Sequence, residues 1–239
     1  LVEQGAQLFP HLTVEENIRY GIQAQKSDTF VDGWIERFGL TPYLASRPNQ
    51  LSGGLVQRAI IARAIAGRPE VLLLDEPFSA LDWTLQRVLQ DAISDLRQEL
   101  GTTVIIVTHQ LSEAQRMADK IGIIQNGKIL QEGTPQSLMM KPASWEIARL
   151  LGYTHLLEDN RGSKFSLHPS RIVLGDKPHL GPVLRGEVVK QFLCEGEQHI
   201  LLALESFGHQ MVELTIPTEV EINPGKTLTF TVPNPPYLD

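Results

Sequence analysis

The chain has a single cysteine in 239 residues, Cys194, so no internal disulfide can form and the composition suits a reducing compartment such as the cytosol. Cys194 is expected as a small buried hydrophobe on a strand. No stretch approaches the roughly 20 apolar residues of a membrane span. A basic excess is missing as well. Against 28 Asp and Glu there are 21 Lys and Arg, a net charge of −7. Nonspecific nucleic-acid binding needs a basic surface that releases counterions, so nucleic acid is not an expected partner. The opening LVEQGAQLFP has neither an initial Met nor the basic segment of a signal peptide. It reads as the middle of a strand and loop, and the chain is expected to be truncated at its N-terminus.

One further absence matters more. A loop that cradles phosphates needs G-x-x-x-x-G-K-[ST] between a strand and a helix. Gly122 to Lys128 has the glycines and the lysine, but Ile129 stands where a hydroxyl is needed, and Asn126-Gly127 is better explained as a hairpin turn. Val220 to Thr227 lacks the first glycine and leads into LTFTV, a strand rather than a helix whose N-terminus would face the phosphates. Neither is a phosphate loop.

What is present is an ordinary globular composition, 42% apolar and 21% charged, long enough for one large or two modest domains. Thr13 and Glu16 form a capping box for a helix reaching towards Tyr20 and stopping at Gly21. A second helix is expected over Thr29 to Phe38, closed by Gly39, and a third from Ser52 to Gly67. Val71 to Leu74 is a wholly apolar run, the pattern of a strand covered on both faces, and Thr103 to Val107 is a second buried strand. Between them Leu85, Leu89, Ala92, Ile93, Leu96 and Leu100 recur at helical spacing, with Gly101 as the stop. Asn126-Gly127 marks a type I′ hairpin, and Thr134-Pro135 starts a helix. Strands alternating with helices to about Gly133 indicate a mainly parallel α/β sheet. Beyond Gly152 the texture changes to short strand-like runs separated by Gly, Pro and Asn, which reads as a small β domain, plausibly a barrel.

Asp75 and Glu76 end an apolar strand and so emerge at its carboxyl edge, where open α/β sheets bind ligands. A carboxylate there can hold magnesium on a nucleotide while its neighbour orients or deprotonates a water. A solvated strand end would also present two carboxylates. The context decides: LSGGLVQR precedes VLLLDEP, and SALD and VTH follow.

In that order these motifs resemble the nucleotide-binding subunit of an ABC transporter. LSGGLVQR is similar to the family's signature, VLLLDEP to its Walker B strand, Ser79 to Asp82 to its D-loop and His109 to its switch histidine, while Gln4 matches the Q-loop glutamine and LFPHLTVEENI is typical of importers. The resemblance covers residues 1 to about 140. It implies a partial P-loop ATPase domain over residues 1–151, with a helical subdomain over about 11–58 and the Walker A loop in a segment before Leu1. For residues 152–239 it implies a TOBE-like β domain. It further implies ATP and Mg2+ as cofactors. Glu76 and His109 are the implied catalytic residues, Asp75 and Gln4 the residues serving magnesium, and Ser52, Gly53, Gly54, Gln57 and Asp82 the contacts to nucleotide. Implied partners are a second nucleotide-binding subunit, a transmembrane permease at the cytoplasmic face of the cell membrane and, indirectly, a solute-binding protein. The solute is left open, leaning towards molybdate-type oxyanions or ferric iron.

The family's LSGGQ is LSGGL here, so Leu55 lacks an amide expected near the nucleotide. A nonhydrolytic regulatory nucleotide-binding module stays open as an alternative. Leu8, Phe9, Pro10 and His11 form an apolar step after Gln4, which the resemblance assigns to contact with the permease.

Overall fold

The computed structural model describes residues 1–20, 22, 28–79, 81–158, 162–194, 196–220 and 222–238. Gly21, the expected helix stop, Ala80 of the Ser79 to Asp82 stretch, and Glu221 lie outside them. The chain divides into two compact units, Leu1–Met117 and Ala118–Asp239.

In the first unit, α1 (Val14–Ile18) begins at the Thr13 capping box: the Glu16 amide donates to the Thr13 hydroxyl and Glu16 accepts from the Thr13 amide. Helix α2 (Thr29–Arg37) is capped by Asp28, and α3 (Gly53–Ala66) by Ser52. Strand β1 (Val71–Asp75) pairs in parallel with β2 (Thr103–Val107), and Val2 forms a parallel bridge on the other side of β1, at Leu74. Helix α4 (Trp83–Leu100) joins the strands, capped by Asp82 and ended by Gly101 at φ 65°, a left-handed position that glycine adopts without strain. A short α5 (Leu111–Met117) follows β2.

Strands β1 and β2 differ from expectation. Leu72 and Leu74 are buried in the core with Val104 and Ile106 packed on it, but Val71 and Leu73 are 51% and 37% exposed, and Ile105 and Val107 51% and 57%. Burial alternates along both strands because only one face of the pair meets the core of this unit. The uniformly apolar run hides that alternation.

The second unit opens with the hairpin β3 (Ile121–Gln125) and β4 (Lys128–Gly133), whose turn has Asn126 and Gly127 at φ 49° and 73°, as a type I′ turn demands. Two short helices follow, α6 (Pro135–Met140) and α7 (Trp145–Leu150). The β region has two antiparallel sheets. One is ordered β12 (Tyr237–Leu238), β6 (Lys164–Leu167), β5 (His155–Glu158). The other is ordered β10 (Met211–Ile216), β9 (Glu197–Leu204), β8 (Val183–Cys194), β11 (Thr227–Thr231), β7 (Val173–Leu174). Both supply one core, with Leu157 and Phe165 from the first and Ile200, Leu214 and Phe230 from the second.

A side-chain clasp ties α6 to the β region inside the second unit. The guanidinium of Arg171, in the turn before β7, donates to Met139 O at 2.8 Å and to the Tyr153 hydroxyl at 2.7 Å. Arg171 thereby caps the end of α6, and the Tyr153 hydroxyl donates to the same carbonyl. Burial pushes the Tyr153 phenol up, against the nearby Arg171 charge. Cys194 is exposed rather than buried, because β8 runs to the hairpin end beyond the core and neighbouring Leu193 is 73% exposed.

Candidate active site

The strand end at Asp75 sets the site. Immediately after it, Glu76 takes φ 44°, a left-handed conformation that disfavours a side chain with a Cβ, while its amide donates to Val107 O at 2.9 Å. The bond to β2 and the hydrogen bonds of Ser79, whose amide and hydroxyl both reach Glu76 O, hold this turn. Strain of this kind gathers where the surroundings over-determine a functional conformation.

Two side chains meet the Glu76 carboxylate. Gln4 donates from Nε2 to Glu76 Oε2 at 3.0 Å, and His109 Nδ1 lies 2.9 Å from Glu76 Oε1, a bond that needs the proton on Nδ1 when Glu76 is ionised. Each has its own mount. Gln4 and Gly5 form the middle of a turn closed by Ala6 N to Glu3 O at 3.0 Å, with Gly5 at φ 76°, the position a type II turn reserves for glycine. His109 follows Thr108, whose hydroxyl donates to Glu113 Oε2 at 2.5 Å and accepts from Gln110 N at 3.0 Å. Glu113 is buried, and its Oε1 has no partner among the described residues. Thr108 and Glu113 support the site and escaped the sequence reading, since nothing in THQLSE marks the carboxylate as turned inward.

The remaining predicted residues lie around this centre. Asp75 is half-buried and its carboxylate makes no hydrogen bond or ion pair among the described residues. Ser52 caps α3 by accepting from Leu55 N, and Gly53 and Gly54 are its first two helical residues. Space around Gly53 is open, whereas a Cβ at Gly54 would meet Leu81 Cδ2 at 3.3 Å and Leu85 Cδ1 at 3.5 Å, so an added methyl there asks the Leu81 side chain to give by a few tenths of an ångström. Gln57 donates to Pro77 O at 3.1 Å and so ties α3 to the turn after Glu76. Asp82 caps α4 through Leu85 N at 3.0 Å. The structure joins Gln4, Glu76 and His109 directly; Ser52, Gly53 and Gly54 make no hydrogen bond to them. Leu55 packs into the core of the first unit.

Leu8 is also a core residue, so the apolar step after Gln4 is smaller than expected. Phe9 is half-buried against Tyr20, with ring centroids 4.5 Å apart, and only Pro10 and His11 of the four are exposed. No described helix is long and apolar enough to cross a membrane.

Chemically, a carboxylate held from both sides at a strand end can orient and deprotonate a water. A second, unengaged carboxylate beside it offers a hard oxygen donor of the kind magnesium takes. The free amides at the start of the 14-residue α3 suit an anion.

The ABC transporter family model matches residues 1–79. The putative 2-aminoethylphosphonate import ATP-binding protein PhnT of Salmonella typhimurium is 39% identical over 90% of this chain and 57% of its own length. The probable sulfate/thiosulfate import ATP-binding protein CysA of Chlorella vulgaris is 42% identical over 63% of this chain and 66% of its own. The spermidine/putrescine import ATP-binding protein PotA of Nitratidesulfovibrio vulgaris is 42% identical over 65% of this chain and 44% of its own. The chain thus spans between about two fifths and two thirds of these relatives. Among solved structures, the dimeric bacterial ABC transporter cassette MJ0796 is similar with a TM-score of 0.51 and 31% identity, over 56% of this chain and 61% of that one. Residues 1–79 match the ABC transporter family, and these relatives are by name import-type ATP-binding proteins.

Proposed function

We propose that the protein is the energy-coupling subunit of an ABC importer and that Glu76 is the base for ATP hydrolysis. The observation that carries this reading is the Glu76 carboxylate gripped by Gln4 on one oxygen and His109 on the other. Magnesium-bound ATP supplies the phosphoryl group to be transferred to water. Glu76 aligns that water and takes its proton, and the two hydrogen bonds fix the carboxylate's rotamer before reaction. His109, 68% exposed, has its Nε2 edge free, and donating from it to the terminal phosphate while Nδ1 donates to Glu76 takes the imidazolium form, in which both nitrogens carry protons. Asp75 and Gln4 serve the metal, while Ser52, Gly53, Gly54, Gln57 and Asp82 serve nucleotide across an interface with a second copy. Gln57 and Asp82 each also make a bond within their own subunit, so that role requires their remaining polar atoms.

Residues 152–239 are proposed as a TOBE-like domain whose strands continue from the ATPase part near 151/152. Membrane partners would be permease subunits at the cytoplasmic face, reached through Phe9, Pro10 and His11, with a solute-binding protein acting at one remove. The relatives' names include 2-aminoethylphosphonate, sulfate/thiosulfate and spermidine/putrescine import, and they single out no one solute for this chain.

In the full-length protein, Glu76→Gln should lower ATP turnover by about 10²-fold or more while ATP-bound dimers accumulate, because the amide keeps the shape but cannot take a proton. Turnover and dimer population measured on one preparation check this. Near-normal ATPase activity would overturn the assignment.

A further inference from the structure

Asn17 is an asparagine with no exposed surface, in the fourth position of α1. Its amide is fully engaged with a loop rather than with its own helix alone. Oδ1 accepts from Phe9 N at 2.7 Å and from Arg63 Nη1 at 3.4 Å; Nδ2 reaches Phe9 O at 3.1 Å, Leu12 O at 3.3 Å and Thr13 O at 2.9 Å. A side-chain amide can accept and donate at once, as a strand neighbour would, so Asn17 replaces the ladder that a loop lacks.

Arg63 completes the arrangement from α3. Its Nη2 donates to Gln7 O at 2.9 Å, and its guanidinium lies 5.1 Å from the centre of the Phe9 ring. No carboxylate pairs with it among the described residues, and burial pushes its pKa down. A half-buried cation held by carbonyls and a ring gains little as an ion-pair partner. It does connect three segments: the loop behind Gln4, α1 and α3.

The lengths make the connection stiff. Gln7 is three residues after Gln4, at most about 11 Å of chain, and the Glu3 to Ala6 turn already fixes most of it. Arg63 lies ten residues along α3 from Gly53, about 15 Å of hydrogen-bonded helix.

We propose that Asn17 and Arg63 are positioning residues: they clamp the Gln7–Leu12 loop to α3, so that Gln4 and the Gly53–Gly54 helix start move as one body. This rests on the functional reading above, in which Gln4 serves the catalytic carboxylate and Gly53–Gly54 serve nucleotide. Neither Asn17 nor Arg63 touches the reacting groups; both act through the backbone they hold.

The test is a double-mutant cycle in the full-length protein, combining Gln4→Ala with Arg63→Met, which keeps the apolar stem and removes the fork. Arg63→Met should lower kcat about tenfold with KM for ATP changed less than about threefold, and the double variant should be no more than about twofold slower than Gln4→Ala alone. Arg63→Lys, which keeps charge and stem, should recover part of kcat. Hydrogen exchange on the same proteins gives a readout independent of turnover: Arg63→Met should speed exchange in residues 4–12 and 52–57 together. Multiplicative losses in the cycle, or faster exchange confined to residues 7–12, would overturn the clamp. If the unmutated full-length protein fails to hydrolyse ATP, the functional reading falls, and the exchange pattern still decides whether the clamp exists.

Discussion

In the first unit, the loops around the site are held by side chains that reach backbone carbonyls: Asn17 to Phe9 and Leu12, Arg63 to Gln7, Gln57 to Pro77, Gln86 to Phe78, Arg58 to Phe38. In the second unit, most of the β region is held by backbone ladders, with burial alternating cleanly along β9 and β10. The contrast follows from what each part must present. A ladder satisfies its own polar groups and fixes its own register, so apolar alternation is enough to build it. A loop that aims a carboxamide or an imidazole at one carboxylate has no ladder, and each of its polar groups must find a partner elsewhere in the fold. One region is therefore robust to polar substitution at its surface and sensitive to core deletion; the other is sensitive to single amides.

The largest effect should come from the ladder-built core. Phe230→Ala removes a fully buried ring from the second unit's core and should destabilise it by about 3–5 kcal/mol, read by denaturant unfolding. A loss near zero would show that this core is loosely packed. Next comes Asn17→Leu, similar in size but unable to bond. It leaves Phe9 N and Leu12 O without these partners in a part-buried place, while Phe9 O keeps its bond from the Leu12 amide, an expected loss of about 1–3 kcal/mol in the first unit, with faster exchange in residues 7–13. The corresponding exchange in β9 should not change.

A smaller effect isolates the strain at Glu76. Glu76→Gly and Glu76→Ala both delete the bonds to Gln4 and His109, so their difference reports the backbone alone. At φ 44° the glycine variant should be more stable than the alanine variant by about 1 kcal/mol, the reverse of the order at an ordinary helical or strand position. Equal melting temperatures would show that the turn relaxes when the side chain is lost.

The smallest effect concerns acid. Burial holds the pKa of both His155 and His168 below the ordinary imidazole value, with Arg171 adding to the shift at His168 and Glu213 opposing it at His155. The unfolded chain therefore takes up protons first as pH falls through about 6.5, and the second unit loses stability from there until the folded-state values are passed. His168→Gln should flatten part of that slope in melts between pH 7.5 and about 5. An unchanged slope would remove His168 from the account, leaving its Nδ1 bond from the Ser170 amide as a local turn feature.

Several elements could be read from the residues because they are closed by neighbours in sequence. The Thr13 capping box, the Asn126-Gly127 turn, the Gly101 stop and the Thr134-Pro135 helix start each depend on groups within four residues of one another. The order of motifs from Gln4 to His109 likewise carries the resemblance to the ABC transporter family, because each motif is a short run of neighbouring residues, and the family model matches residues 1–79. Short α5 and α7 were missed because their apolar spacing spans less than two turns.

What the sequence determined by itself was local: where helices start and stop, where the chain turns, and which residue types stand at strand and helix ends. The tertiary structure decided what each side chain faces. It turned Leu55 and Leu8 into the core, left Cys194, Val71 and Val107 exposed, brought Gln4 and His109 from 72 and 33 residues away onto the two oxygens of Glu76, and gave Asn17 and Arg63 a loop to hold. The reason is physical. Caps and turns are satisfied within the next few residues, whereas burial and long-range hydrogen bonds exist only once segments far apart in the chain are packed together.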